Sequence, residues 1–207
     1  MKYLDSRIFR ESARKRFTKL DRDYINKKYK EERFPTEGNN LLGKLMFKYL
    51  RDNIAYFKRK KEIILIDIGA DGGALTTIFA LKALNLLGLL DKTKIILIDV
   101  AKKALHTTLA GNFFLSDCFI EEYDLKGLGN NGKGIKEILS KSQYSCSDLI
   151  TLPIEINTVD ICISGFTHYH LNIFDKELAC REMERVTRKN RFIGIVDEYY
   201  CISMKKN

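Results

Sequence analysis

From Glu62 onward, short apolar runs alternate with longer stretches in which apolar residues recur at helical spacing. Glu62-Ile-Ile-Leu-Ile-Asp67 is a β-rich run of the kind that fills a buried parallel strand, where both faces are covered and no polar alternation is needed. Ala74 to Leu87 reads as a helix ended by Gly88. Lys94 to Asp99 is a second buried strand, and the chain from Ala101 is again helical. Val159 to Ser164 makes a later strand, Asp175 to Thr187 a helix, and Arg191 to Asp197 a further strand. Repeated strand–helix–strand units at this spacing imply right-handed crossovers. They predict an α/β fold: a doubly wound, mostly parallel sheet with helices on both faces.

Two parts fall outside that rhythm. Residues 1–61 read as mainly helical, with Phe17, Leu20 and Tyr24 on one face. Pro35 and the Glu37–Asn40 stretch break this segment in two. The glycine-rich stretch Gly127–Gly134 lies between helical pieces and follows no strand, so it reads as a surface insertion and not as a phosphate loop. The chain therefore divides into a basic helical lid over residues 1–61 and a domain over residues 62–207 with an insertion at about 111–146.

Length and composition change this picture little. The 207 residues are enough for one domain, and 45% hydrophobic with 30% charged residues is ordinary for a globular protein. No apolar run reaches membrane-spanning length, and the start of the chain lacks the apolar core of a signal peptide. Five cysteines without a CxxC pair read as reduced thiols in a cytoplasmic protein. Charge is more informative once located. Residues 1–61 carry 19 Lys/Arg against 8 Asp/Glu, whereas residues 62–207 carry 17 against 19, so the net +9 is an N-terminal property. A solvated helical segment is one reading, and an anion or nucleic-acid contact is the other.

The candidate chemistry begins where the first strand ends. Asp67 runs into Ile68-Gly69-Ala70-Asp71-Gly72-Gly73 and then a helix. A ligand at such a turn approaches bare backbone amides at a helix N-terminus. A pyrophosphate site calls for GxGxxG, but Asp71 stands at the second glycine, and an anion there repels a pyrophosphate. The same carboxylate suits a ligand with cationic groups.

Here the chain resembles a class I S-adenosylmethionine (SAM)-dependent methyltransferase, a Rossmann-like family. The family's first motif is acidic-x-Gly-x-Gly-x-Gly, and Asp67-Ile-Gly69-Ala70-Asp71-Gly-Gly73 fits it except at Asp71. SAM carries an ammonium and a sulfonium, so the departure is tolerable. The family's second strand ends in an acidic residue, matched by Asp99, whose carboxylate is placed to accept both ribose hydroxyls. Asp148-Leu-Ile-Thr-Leu-Pro-Ile-Glu-Ile-Asn-Thr-Val-Asp160 is similar to the D-x-x-x-L-P-x-x-x-x-x-F-D stretch of the subgroup that includes quinone-biosynthesis methyltransferases. By that resemblance Asp148 meets the adenine amino group and the Leu149 amide meets the ring nitrogen. Asp117, which follows Asp99 at a separation near the family's, is the rival. Ser164-Gly-Phe-Thr-His168-Tyr-His170 and Leu178-Ala-Cys-Arg-Glu182-Met-Glu-Arg185-Val match the subgroup's later strand, His-containing loop and L-x-E-x-x-R-V helix. The usual Pro-Gly-Gly turn is replaced by Arg188-Lys-Asn190.

The resemblance spans roughly residues 62–198 and implies a cofactor site of Asp67, Gly69, Ala70, Asp71, Gly73, Asp99, Val100, Asp148, Leu149 and Ser164. The cofactor would be SAM and the product S-adenosyl-L-homocysteine. In-line methyl transfer needs little acid–base help, and an oxygen or carbon acceptor benefits from a base. His168 or His170 is the candidate base, with Tyr169 positioning the acceptor; a loop-shaping role for the histidines is the alternative. His168-x-His170 lacks a third ligand at recognisable spacing, so no metal site is expected. The N-terminal aromatics Tyr3, Phe9, Phe17, Tyr24, Tyr29 and Phe34 and the nearby cations suit an anionic or aromatic small-molecule acceptor. Two other classes stay open: a nucleic-acid methyltransferase holding phosphates with the basic N-terminus, and a non-catalytic SAM-binding subunit, which Asp71 and the missing Pro-Gly-Gly turn favour.

Overall fold

A computed structural model describes residues 33–71, 74–110, 117–128, 133–168, 171–197 and 200–205. Helices α1 (Arg33–Asp52) and α2 (Ile54–Arg59) lead into strand β1 (Ile63–Ile68), followed by α3 (Leu75–Leu86) and β2 (Thr93–Asp99). Three helices come next, α4 (Lys102–Leu109), α5 (Asp117–Glu122) and α6 (Lys133–Ser140), and lead to β3 (Gln143–Cys146). Strand β4 (Val159–Gly165), helix α7 (Ile173–Val186), β5 (Thr187–Asp197) and β6 (Tyr200–Lys205) complete the described chain. The sheet order is β3-β2-β1-β4-β5-β6. The first five strands are parallel and β6 is antiparallel to β5. This is the doubly wound, mostly parallel α/β sheet that the strand–helix rhythm predicts.

Both faces of the sheet are covered, which is why its strands read as unbroken apolar runs. On one face Leu65, Leu97, Ile161, Ile163 and Phe192 pack with Leu42, Met46 and Leu50 of α1, with Ile78 and Leu81 of α3, and with Leu105, Ile135 and Leu139. On the other, Ile66, Ile68, Ile98, Cys162 and Ile193 pack against Ala179, Met183 and Val186 of α7 and against Leu149 and Leu152.

Three features bear on the expected organisation. First, the core continues across residue 61. Leu42, Met46, Leu50 and Phe57 are fully buried in the same cluster as the sheet, so residues 33–59 form a layer of the fold and not a lid apart from it. Residues 1–32, with the lid expected there, and the side chain of Phe34 lie outside the described set. Secondly, α1 runs straight through Pro35 and the Glu37–Asn40 stretch. Proline falls in the first turn, where its missing N–H has no helical partner to lose. Gly38 lets the helix approach the sheet: a Cβ there would lie 2.9 Å from both Phe166 Cζ and Val196 Cγ2. Thirdly, the expected insertion is the β2–β3 crossover and contains a strand. Ile120, Leu125, Leu128, Ile135 and Leu139 are core residues, and Gln143–Cys146 pairs in parallel with Ile96–Asp99. Within the glycine-rich stretch, Lys126–Leu128 is a short 3₁₀ turn and α6 begins at Lys133.

Candidate functional site

Strands β1, β2 and β4 end side by side, and the loops after them converge at the crevice where the strand order reverses. The turn after β1 is shaped by Gly69 in the left-handed region at φ +75°, with its amide donating to the Ile98 carbonyl at 2.7 Å. Any Cβ at Gly69 would stand 1.9 Å from Thr167 Oγ1, so only glycine fits. Ala70 is buried, and its amide also reaches Ile98 O, at 3.2 Å. Asp71 sits at φ 51° and its carbonyl accepts from Thr108 Oγ1 at 2.8 Å. Gly73 lies outside the described residues.

Asp99 ends β2 and holds this turn in place. Its Oδ2 accepts from the Asp71 amide at 2.9 Å and its Oδ1 from the Ala101 amide at 2.7 Å. Burial, with the Asp71 charge adding to it, pushes the Asp99 carboxyl up to about 6. Val100 follows, and its carbonyl lies 3.4 Å from Cys146 Sγ.

Asp67 is wholly buried one turn earlier. Thr77 Oγ1 donates to its Oδ2 at 2.5 Å, whereas its Oδ1 is buried with no hydrogen-bond partner. Burial pushes this carboxyl up to about 7. A carboxylate with one orphaned oxygen in a dry site favours a cationic group brought to it.

Strand β3 brings Asp148 to the same edge. The Ser147 amide donates to Asp99 O at 3.1 Å, so the 147–149 corner lies against the end of β2. Asp148 Oδ1 accepts from the Ile150 amide at 3.3 Å, and Leu149 is buried in the second core cluster. The side chain of the rival, Asp117, lies outside the described set. Ser164, at the end of β4, is buried and donates to Ile68 O at 2.9 Å, which locks β4 to β1 beneath the glycine turn.

The loop carrying Asp148 is held by a clamp whose members were visible only as a motif. Glu182 Oε2 accepts from the Leu152 amide at 2.9 Å. Arg185 donates to the carbonyls of Ile154 and Leu152 at 2.9 and 3.0 Å and pairs with Glu182. The Arg185 guanidinium holds the Glu182 carboxyl below the usual carboxylate range. Arg185→Met is expected to cost roughly 1–3 kcal/mol by stranding two carbonyls and one carboxylate. Chemical denaturation measures that loss, and hydrogen exchange of residues 148–156 should rise; unchanged exchange would remove the clamp.

His168 is placed in the loop after β4 but is buried, and its Nε2 has no partner. Burial, reinforced by the Lys176 charge, lowers it to about 4, so the imidazole is neutral at pH 7. Tyr169 and His170 lie outside the described residues. Among the described residues no three His, Cys, Asp or Glu side chains gather as a metal site, and no helix is long and apolar enough to cross a membrane.

No protein-family model matches the chain, and no curated protein matches it. Solved structures do. YcgJ from Bacillus subtilis is 20% identical with a TM-score of 0.41, over 73% of this chain and 51% of that one. Geranyl diphosphate C-methyltransferase from Streptomyces coelicolor, in complex with S-adenosyl-L-homocysteine, is 9% identical with a TM-score of 0.42, over 65% of this chain and 39% of its own. The [4+2]-cyclase SpnF is 20% identical with a TM-score of 0.41, over 70% and 43%. The chain thus spans about half or less of the length of these proteins. The quinone-biosynthesis subgroup is not singled out among them.

Proposed function

We propose that this protein is a SAM-dependent methyltransferase acting on a small-molecule acceptor. The observation that carries the reading is one juxtaposition. The glycine turn after β1 is tied through the Asp71 amide to the carboxylate that ends β2, with the orphaned oxygen of Asp67 buried beside the same turn. The residues present fit the cofactor's charge pattern. Asp67 suits an ammonium, Asp99 has lone pairs left for a vicinal diol after its two amide bonds, and Asp148 with the Leu149 amide suits an adenine edge. The turn of Gly69, Ala70 and Asp71, with Gly73, lets the ligand approach backbone; Val100 and Ser164 line and brace it. When bound, SAM supplies an electrophilic methyl group. The chain's own contribution is to hold and orient, and to exclude water, since in-line transfer draws most of its rate from positioning.

His168, His170 and Tyr169 are the candidates for the base and for positioning the acceptor, with burial holding the His168 imidazole neutral at pH 7. The acceptor is small and anionic or aromatic, bound beside the strand ends that carry the cofactor site, in a cytoplasmic protein. A nucleic acid as methyl acceptor is the second reading, resting on the N-terminal excess of cations.

Calorimetric titration with SAM, S-adenosyl-L-homocysteine and NAD tests the reading. Micromolar-range binding of the first two with none of NAD is expected, and Asp99→Ala should weaken SAM at least about tenfold, the worth of one charge-assisted contact. Asp148→Ala should weaken it too, and Asp117→Ala should not. Tight NAD binding, or full SAM affinity in Asp99→Ala, would overturn the assignment. Binding of neither SAM nor its product would bring forward the non-catalytic reading.

A further inference from the structure

At the opposite end of the sheet, two basic runs far apart in sequence are drawn together around one buried carboxylate. Lys58-Arg59-Lys60-Lys61 closes α2 just before β1, and Arg188-Lys189-Asn190-Arg191 lies in the first half of β5. Asp160, fully buried near the start of β4, accepts from the Ile64 amide at 3.0 Å. It also binds Lys60, receives Arg188 Nη1 at 2.9 Å on each oxygen, and has Arg191 Nε at 3.9 Å. The Arg191 guanidinium lies over the Tyr56 ring, 3.5 Å from its centroid. Lys92 fixes the end of α2 by donating to the carbonyls of Phe57 and Lys58 at 2.8 and 2.9 Å.

One carboxylate needs far less positive charge than this. Among the described residues Lys58, Lys61 and Lys189 are exposed and make no ion pair, and the Arg59 guanidinium is bonded only to the Ala55 carbonyl. Crowded like charges oppose the compact state, and here they are held on rigid elements, so the excess faces outward as a fixed positive field. We propose that this N-terminal edge of the sheet is a docking surface for the phosphodiester backbone of a nucleic acid.

Phosphate contacts from lysine and arginine are what such a backbone recruits. A membrane face would set a cluster of apolar side chains among its cations, whereas the adjoining loop offers Ile156 alone, next to the acidic Glu155. The edge is separated from the glycine turn by the length of β1, about 20 Å for its six residues. Phosphates held there are gripped away from the glycine turn, so the surface is a holding site distinct from the place of methyl transfer. The surface stands independently of the cofactor assignment.

The test is anisotropy of labelled single-stranded RNA and DNA of about 20 nucleotides with the full chain, between about 50 and 200 mM salt. The wild type should bind both with a steep salt dependence. Lys58→Gln, Arg59→Gln, Lys61→Gln and Lys189→Gln together should lower affinity at least about tenfold and flatten the slope by roughly 3, at ~0.7 per lost phosphate contact. All four lie on the surface and their removal relieves like-charge crowding, so a melting temperature no lower than wild type accompanies the loss. Binding equal to wild type in the variant would place the contacts elsewhere, in residues 1–32, and overturn the proposal. So would absence of nucleic-acid binding, or binding to phosphatidylserine vesicles in its stead.

Discussion

Asp67→Asn is expected to stabilise the ligand-free protein at pH 8 while weakening its hold on SAM at least tenfold. Burial places the Asp67 carboxyl at about 7, raised from the ordinary value near 4. The unfolded chain gives up this proton at a lower pH than the folded one. Asp67 therefore supports folding fully below about pH 4, and that support is lost as pH rises through about 7. At about 1.4 kcal/mol per unit the loss is on the order of 4 kcal/mol, an upper figure. Asparagine keeps the shape and the bond from Thr77 but carries no charge to bury. Thermal melts from pH 5 to 8 should show the wild type losing stability more steeply than the variant, with the two converging toward pH 5. Asp99, also raised to about 6, contributes the same sign in both proteins and cancels in the comparison. Calorimetry reads the other half: a neutral amide gives a cationic ligand no counter-charge. Parallel pH profiles would show that the Asp67 carboxyl ionises in the folded chain as it does in the unfolded one, and the burial argument would fall with them.

Gly69→Ala should be the most damaging small substitution in the described chain, costing about 2–4 kcal/mol in denaturant melts and abolishing SAM binding in the surviving fold. Left-handed backbone costs an alanine roughly 1 kcal/mol. The new methyl would also collide with Thr167 at Oγ1, Cγ2 and Cβ, at 1.9, 2.7 and 2.8 Å. Thr167 cannot simply rotate away, because its hydroxyl donates toward the carbonyls of Ile68 and Gly165. Adding Thr167→Ala removes two of the three clashing atoms and should recover part of the loss. An additive double mutant would show that the strain lies in the backbone alone.

Strands β1, β2, β4 and β5 were legible because each is covered on both faces and is written as an apolar run. Strand β3 was not: Gln143-Tyr-Ser-Cys146 lies at the sheet edge, Tyr144 is exposed, and only pairing with β2 makes it a strand. Helix α1 was hidden by local breakers whose roles are tertiary, proline in a first turn and Gly38 against Phe166. Among the candidate site residues, Asp67, Asp99 and Asp148 stand out in the sequence because each sits at a strand end in a recognisable motif. Their partners do not. Thr77 is ten residues from Asp67, and the Glu182–Arg185 clamp reaches back about thirty residues to the Asp148 loop. The burial of His168 leaves no mark on the sequence either, since a histidine in a loop reads the same whether wet or dry.

The pairing of β1 with β4 bears on how the protein is made. Ile68 meets Ser164, 96 residues later in the chain. During synthesis at about 5–20 residues per second, β1 can close early with α3 and β2. Its other edge then waits roughly 5–20 seconds for β4 to leave the ribosome. Through that interval a central strand that is apolar except for Asp67 has an open hydrogen-bonding edge, the very feature that recruits wrong partners. Production of the intact chain should therefore be limited by what shelters nascent β1, and slower growth temperature or a holding chaperone would act there before any folded contact exists.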